Sequence, residues 1–420
     1  MFPIILTAFL AIYVAWNLGA NDVANSMGTS VGSKAITLRK ALLIAGILEF
    51  TGALLFGQGV ASTLATKVTN PVLFADHPQT LLLGMVAVLI SCGLWLQIAT
   101  WQGLPVASSH AVVGAIAGFS GVAVGTSAID WQNIGLICLG WLITPLISGV
   151  VAALFYSVVR RWILEQKDSL TQLREWIPWL SAILLGVFGV IVLPTVFNRP
   201  IFNSFSLPSH TLSLAVGGMA ALAVTNACWN RLERLQKGVQ EVYSQKQERQ
   251  ALEKVLGGFQ VLSACFVAFA HGSNDVGNAI APLAVVVFIL TTGSVPLHDL
   301  IIPTWILVLG GLGIVAGLSV QGKNVITTVG EDIIPLQPSS GFSAEIATAT
   351  TILLASRFGF PVSTSHALVG AVVGIGLIQK GQNVKVETVK SVILAWVVTL
   401  PVTALIGGVI FAVLRFFFNE

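Results

Sequence analysis

Twelve stretches of this chain are apolar over lengths near the roughly 20 residues that an α-helix needs to cross a bilayer at 1.5 Å per residue. They fall at about 4–27, 41–62, 81–100, 104–120, 134–159, 177–197, 211–229, 257–290, 303–321, 343–356, 361–378 and 390–418. Inside hydrocarbon every backbone polar group must be satisfied within its own segment, so such runs fold as helices. The expected fold class is an all-α polytopic membrane protein of about twelve transmembrane segments, some of them broken or re-entrant. Composition agrees: charged residues make up 9% and hydrophobic residues 55% of the 420, too little polar surface to cover a soluble core of this size. Disordered, collagen-like and nucleic-acid-binding classes fail on the same grounds. Residues 1–16 lack a basic leading region and a small-residue cleavage site, so a retained first span is expected. The four cysteines each sit in an apolar run without metal-ligand spacing and are read as small core residues.

If the segments alternate, seventeen of the 21 Lys and Arg lie on one side, whereas Lys67, Arg199, Arg357 and Arg415 lie on the other. The positive-inside bias then makes the first side cytoplasmic and puts both termini outside, in a multi-pass protein of the plasma (inner) membrane. The basic stretch Arg231 to Lys254 also carries Glu233, Glu241, Glu248 and Glu253; a solvated linker is expected, with an amphipathic helix as the competing reading.

The chain repeats itself. Gly19-Ala20-Asn21-Asp22-Val23-Ala24-Asn25 returns as Gly272-Ser273-Asn274-Asp275-Val276-Gly277-Asn278, and Pro105-Val106-Ala107-Ser108-Ser109-His110 returns as Pro361-Val362-Ser363-Thr364-Ser365-His366. The first repeat takes spans one to five and the second takes eight to twelve. Corresponding spans are thus an odd number apart, so the halves cross the membrane in opposite directions, the inverted-repeat plan of secondary transporters. The expected organisation is one repeat over 1–160, two linking helices and a charged cytoplasmic loop over 161–256, and the second repeat over 257–420.

Asp22, Asp275, Glu49 and Glu345 fall within spans that contain no Lys or Arg. A carboxylate there costs about 3 kcal/mol on insertion scales unless it is compensated. The amide oxygens of Asn21, Asn25, Asn274 and Asn278 favour bound hard cations as the compensation, with unwinding at Gly19, Gly272 and Gly277 exposing backbone carbonyls as further ligands. A purely structural polar clamp between the halves is the competing reading. The Ser108-Ser109 and Thr364-Ser365 pairs follow a proline, which places hydroxyls beside the unpaired N–H groups of a helix start, a donor-rich cradle for a tetrahedral oxyanion. Ordinary capping is the alternative. For His110 and His366, donation to the anion, pH sensing and a bond to a backbone carbonyl are all open, the structural role being favoured.

These motifs resemble the inorganic phosphate transporter (PiT) family, whose signature is the duplicated Gly-x-Asn-Asp-x-x-Asn element. The likeness extends over nearly the whole chain and takes in Gly322-Lys323-Asn324-Val325 and the acids Glu49 and Glu345. The resemblance implies symport of inorganic phosphate with sodium or protons and no cofactor beyond those ions. It assigns the aspartates and asparagines to cations, the Ser/Thr pairs to phosphate, and Glu49 and Glu345 to coupling or gating. Membrane lipid and a homodimer are the other expected partners. The joining region is shorter than the large cytosolic domain of animal members, and the family also contains sulfate permeases. An intramembrane aspartyl protease would also place two aspartates on separate spans, but the matched Asn-Asp elements and the Ser/Thr cradles argue against it. An anion channel is the third class considered.

Overall fold

The structure, a computed structural model, describes residues 2–102, 106–198, 208–237, 245–329, 336–379 and 385–418. Pro105, Arg199 and Glu241 lie outside them. Thirteen α-helices follow in order among these residues: α1 (Phe2–Gly32), α2 (Leu38–Thr66), α3 (Pro78–Gln102), α4 (Ser108–Val124), α5 (Trp131–Val159), α6 (Ser169–Ile191), α7 (Leu193–Phe197), α8 (Ser209–Lys237), α9 (Gln245–Thr292), α10 (Thr304–Val329), α11 (Pro338–Arg357), α12 (Thr364–Ile378) and α13 (Val386–Phe418). No β-strand occurs among them, and a single bridge joins Thr69 to Ile129. Among the described residues each of the twelve apolar runs falls on helix, the sixth on α6 and α7 together. Nine helices among these residues are long and apolar enough to cross a membrane, while α4 and α12 are shorter. At 1.5 Å per residue their 17 and 15 residues reach about 26 and 23 Å, less than the hydrocarbon thickness. Each follows a break in its helical neighbour: α3 ends at Gln102 before α4 begins at Ser108, and α11 ends at Arg357, where Gly359 takes a left-handed φ of 71°.

The packing exchanges partners between the halves. Helix α1 lies along α10 as α9 lies along α2, and α4 packs on α13 as α12 packs on α5. Two glycines make the first pair of contacts close enough. A Cβ added to Gly19 would lie 2.0 Å from the Ile314 carbonyl oxygen, and one added to Gly272 would lie 2.0 Å from that of Glu49. The unwinding expected at Gly19, Gly272 and Gly277 is therefore absent: α1 and α9 run through them unbroken. These glycines serve backbone approach between helices, the usual role of small residues at membrane helix interfaces. Gly272→Ala is expected to lower stability by about 1–3 kcal/mol. Gly135→Ala, which meets nothing within 4 Å, should leave stability unchanged in the same thermal-unfolding assay in detergent.

The stretch Arg231 to Lys254 is not the expected linker in its described parts, because it forms the end of α8 and the start of α9. Its charges hide an apolar stripe. Ala251, Leu252, Val255 and Leu256 are buried with Leu173 and Ile177 of α6 and Phe342 and Ile346 of α11. Two of its glutamates fix neighbouring helix starts: Glu248 accepts from Ser169 N (3.0 Å) and Oγ (2.6 Å), and Glu253 from Ser339 N (2.9 Å) and Oγ (2.9 Å). Carboxylates are favourable at both places because the N-terminal N–H groups are otherwise unpaired.

Candidate functional site

Helices α1 and α9 cross in opposite directions, since Ser33 donates to Gln260 Oε1 at 2.6 Å while Asp22, farther back on α1, faces His271 and Asp275, farther along α9. At that crossing the repeated acids meet. His271 Nε2 lies 3.2 Å from Asp275 Oδ2 and 3.8 Å from Asp22 Oδ2, and its Nδ1 lies 3.2 Å from Glu49 Oε2. All four side chains are buried. Asp22, His271 and Asp275 bring one ligand atom each to within 4.8 Å of one another, a spacing that a single cation can bridge. The carboxylates were expected to lack any resident basic group, yet His271 stands among three of them. Its signal in the sequence is a titratable side chain within an apolar span, one residue before the second Gly-x-Asn-Asp element.

The asparagines divide. Asn25 Nδ2 donates to Asp22 Oδ1 at 3.1 Å, and Asn278 Nδ2 to Asp275 Oδ1 at 3.2 Å. Asn274 is turned to the chain that precedes α12, donating to Ser356 Oγ and Phe360 O and accepting from Val362 N. It braces that segment and is not brought to the acids. Asn21 is half-buried with its Nδ2 unpartnered.

Ser108 and Ser109 occupy the first turn of α4, and Thr364 and Ser365 that of α12, all buried. The two ends differ. Ser363 caps α12 by accepting from His366 N at 3.3 Å, and its Oγ lies 2.9 Å from Ser365 Oγ. Ala107 precedes α4 and offers no side-chain cap, and Ser109 Oγ is buried without a partner. These starts adjoin the acids: Asn278 Nδ2 reaches Ser108 Oγ at 3.2 Å, and Thr364 stands beside Asp275. His110 and His366 are each held through Nδ1, with Nε2 buried and unpartnered. Their Nδ1 atoms lie 3.0 Å from Trp396 O and 3.1 Å from Trp141 O, and their rings stack on Trp141 and Trp396 at 3.7 and 3.5 Å.

Glu345 lies in a separate cage. It accepts from Thr29 and Ser30 of α1 and from Ser263 and Gln260 of α9, the Ser30 and Ser263 hydroxyls at 2.8 and 2.6 Å. Glu49 instead belongs to the His271 cluster and also accepts from Ser26 at 3.3 Å.

An all-α bundle of membrane-length helices, with acids and helix starts buried together in its interior, has the build of a multi-pass membrane transporter. The comparisons are specific. Residues 18–407 match the family model described as "Phosphate transporter family". The Arabidopsis thaliana protein "Inorganic phosphate transporter 2-1, chloroplastic" is 38% identical over 423 residues, covering 95% of this chain and 70% of that one. A solved structure titled "The sodium-dependent phosphate transporter" superposes with a TM-score of 0.89 at 34% identity, covering 99% of this chain and 100% of its own. The chain belongs to the phosphate transporter family, a family of transporters and not of enzymes.

Proposed function

We propose that this chain imports inorganic phosphate across the plasma (inner) membrane by symport with a cation, sodium or a proton, its two halves acting as inverted repeats that rock about a shared central site. The observation that carries this reading is Asn278, whose amide touches both Asp275 and Ser108. The cation-attracting acids and the anion-attracting start of α4 are thereby joined through one amide. Asp22, Asn25, Asp275 and Asn278, with His271, take the cation. Ser108, Ser109, Thr364 and Ser365 take the phosphate through hydroxyls and first-turn N–H groups. The antiparallel crossing of α1 and α9, and the exchange of partners between the halves, support the inverted-repeat reading. The name of the solved relative favours sodium as the coupling ion.

The charge count requires coupling. At an inside-negative potential each negative charge imported costs about 2.3 kcal/mol per 100 mV, and divalent phosphate faces twice that. Two sodium ions make the dianion electroneutral and give the monoanion one net positive charge. Cations bind first, because Asp22 and Asp275 otherwise repel the anion, and each ligand then raises the affinity for the other. Glu345, caged where α1, α9 and α11 meet, serves the coupling of those helices. With both termini outside, the α1–α2 turn faces the cytoplasm.

The test is uptake of radiolabelled phosphate into proteoliposomes under imposed sodium or proton gradients, with sulfate as competitor. Accumulation driven by one of the two gradients and resistant to sulfate is expected. Equilibration of phosphate unaffected by either gradient would point to a channel, and full competition by sulfate to a sulfate permease.

A further inference from the structure

A second concentration of charge lies away from the transport site. A cavity of about 520 Å³ opens where the α1–α2 turn meets the end of α8, the start of α9 and the start of α11. Lys34, Arg231, Lys246, Arg249 and Lys254 line it, all exposed. Positive residues gather on one side of membrane proteins in general, but that bias does not draw them from the α1–α2 turn, α8 and α9 around one hollow, where they repel each other. Nearby acids are engaged elsewhere: Glu233 pairs with Arg174 at 3.5 Å, Glu248 holds the start of α6, and Glu253, the acid in the lining, holds the start of α11. Among the described residues none of Lys34, Arg231, Lys246 and Lys254 forms an ion pair with a carboxylate. Arg249 donates to Gln337 Oε1 at 3.1 Å and also lines an adjoining cavity of about 480 Å³ that holds Arg160.

We propose that this cavity is a binding site for an anion carrying two or more phosphate groups, either free in solution or as a lipid headgroup. Its volume lies within the range of pockets that enclose whole small molecules and exceeds the needs of one tetrahedral ion. Lysine and arginine around a hollow supply charge-assisted bonds to several phosphate oxygens at once. The α1–α2 turn belongs to the first half of the chain, and α9 and α11 to the second, so a bound anion bridges the two.

Titration of sodium tripolyphosphate into the purified full chain in detergent, followed by calorimetry at low ionic strength, tests the site. Saturable binding is expected, weakened about tenfold in Lys246→Gln and about a hundredfold in Lys246→Gln/Lys254→Gln. Lys390→Gln, which alters an exposed pair with Glu387 elsewhere, should leave the affinity unchanged, as should Asp275→Asn at the transport site. The latter separates this site from failure of the transport reading. Nanodiscs distinguish the sources: cardiolipin that displaces tripolyphosphate identifies a headgroup, and equal binding with cardiolipin or phosphatidylcholine identifies a soluble anion. No saturable binding in detergent, undiminished binding by the Lys246 variants, or loss of binding in Asp275→Asn would overturn the proposal.

Discussion

Asp22→Asn and Asp275→Asn are each expected to lower gradient-driven phosphate uptake by about a hundredfold or more, with insertion and folding retained. Asparagine keeps the size of aspartate and an oxygen able to accept from Asn25 or Asn278, but it removes the charge that holds a cation. Changes one shell out from a bound ion already cost about ten- to a hundredfold, and loss of the charged ligand exceeds that. Folding survives because the substitution also relieves repulsion between carboxylates that meet at one histidine. Size-exclusion profiles and initial uptake rates in proteoliposomes measure the two parts separately. Wild-type transport by both variants would remove the aspartates from the coupling mechanism.

His271→Phe is expected to give the largest loss of stability of any single change at the site. Its ring is fully buried, with both nitrogens aimed at carboxylates of three helices, α1, α2 and α9. Phenylalanine fills the space and removes the histidine from among three buried acids, which keep only the single donors Asn25, Asn278 and Ser26. Leaving a buried acid without a partner it faced costs about 1–3 kcal/mol, and more for a charged one. Asp22→Asn combined with His271→Phe should recover part of that loss, since one of the opposed charges is then gone. Saturating sodium should recover part as well, because an ion that binds the folded state stabilises it. Thermal unfolding in detergent with and without sodium reads all three. A His271→Phe protein as stable as wild type would show that the ring does not hold the acids together.

The transmembrane plan was legible because a run of apolar residues needs no long-range information to be read as a helix. The repeats were legible because two separate polar motifs recur in the same order. The site was read less fully, and the reason is geometric. The glycines in the Gly-x-Asn-Asp elements suggested unwinding, so helical spacing was not applied to them. In an unbroken α9, His271, Asp275 and Asn278 stand at i, i+4 and i+7 on one face, and Asn274, at i+3, lies about 100° from Asp275 but only about 40° from Asn278. That periodicity recovers the His271–Asp275–Asn278 face but does not separate the two asparagines, which only their partners Ser356, Phe360 and Val362 on one hand and Ser108 and Asp275 on the other distinguish. The cage around Glu345 was not legible at all, because Thr29, Ser30, Gln260 and Ser263 reach it from two other helices. The charged stretch at the start of α9 misled because its lysines, arginine and glutamates outnumber the apolar stripe that packs it down.

The account rests on a cation site and an anion site that share a boundary at Asn278. Calorimetric titration of phosphate into the purified chain, with sodium replaced by choline at constant ionic strength, addresses that most directly. Phosphate affinity should rise by about tenfold or more in saturating sodium, within the usual range of coupling between linked sites, and the increase should vanish in Asp275→Asn. Equal phosphate affinity with and without sodium, unchanged across pH, would contradict it.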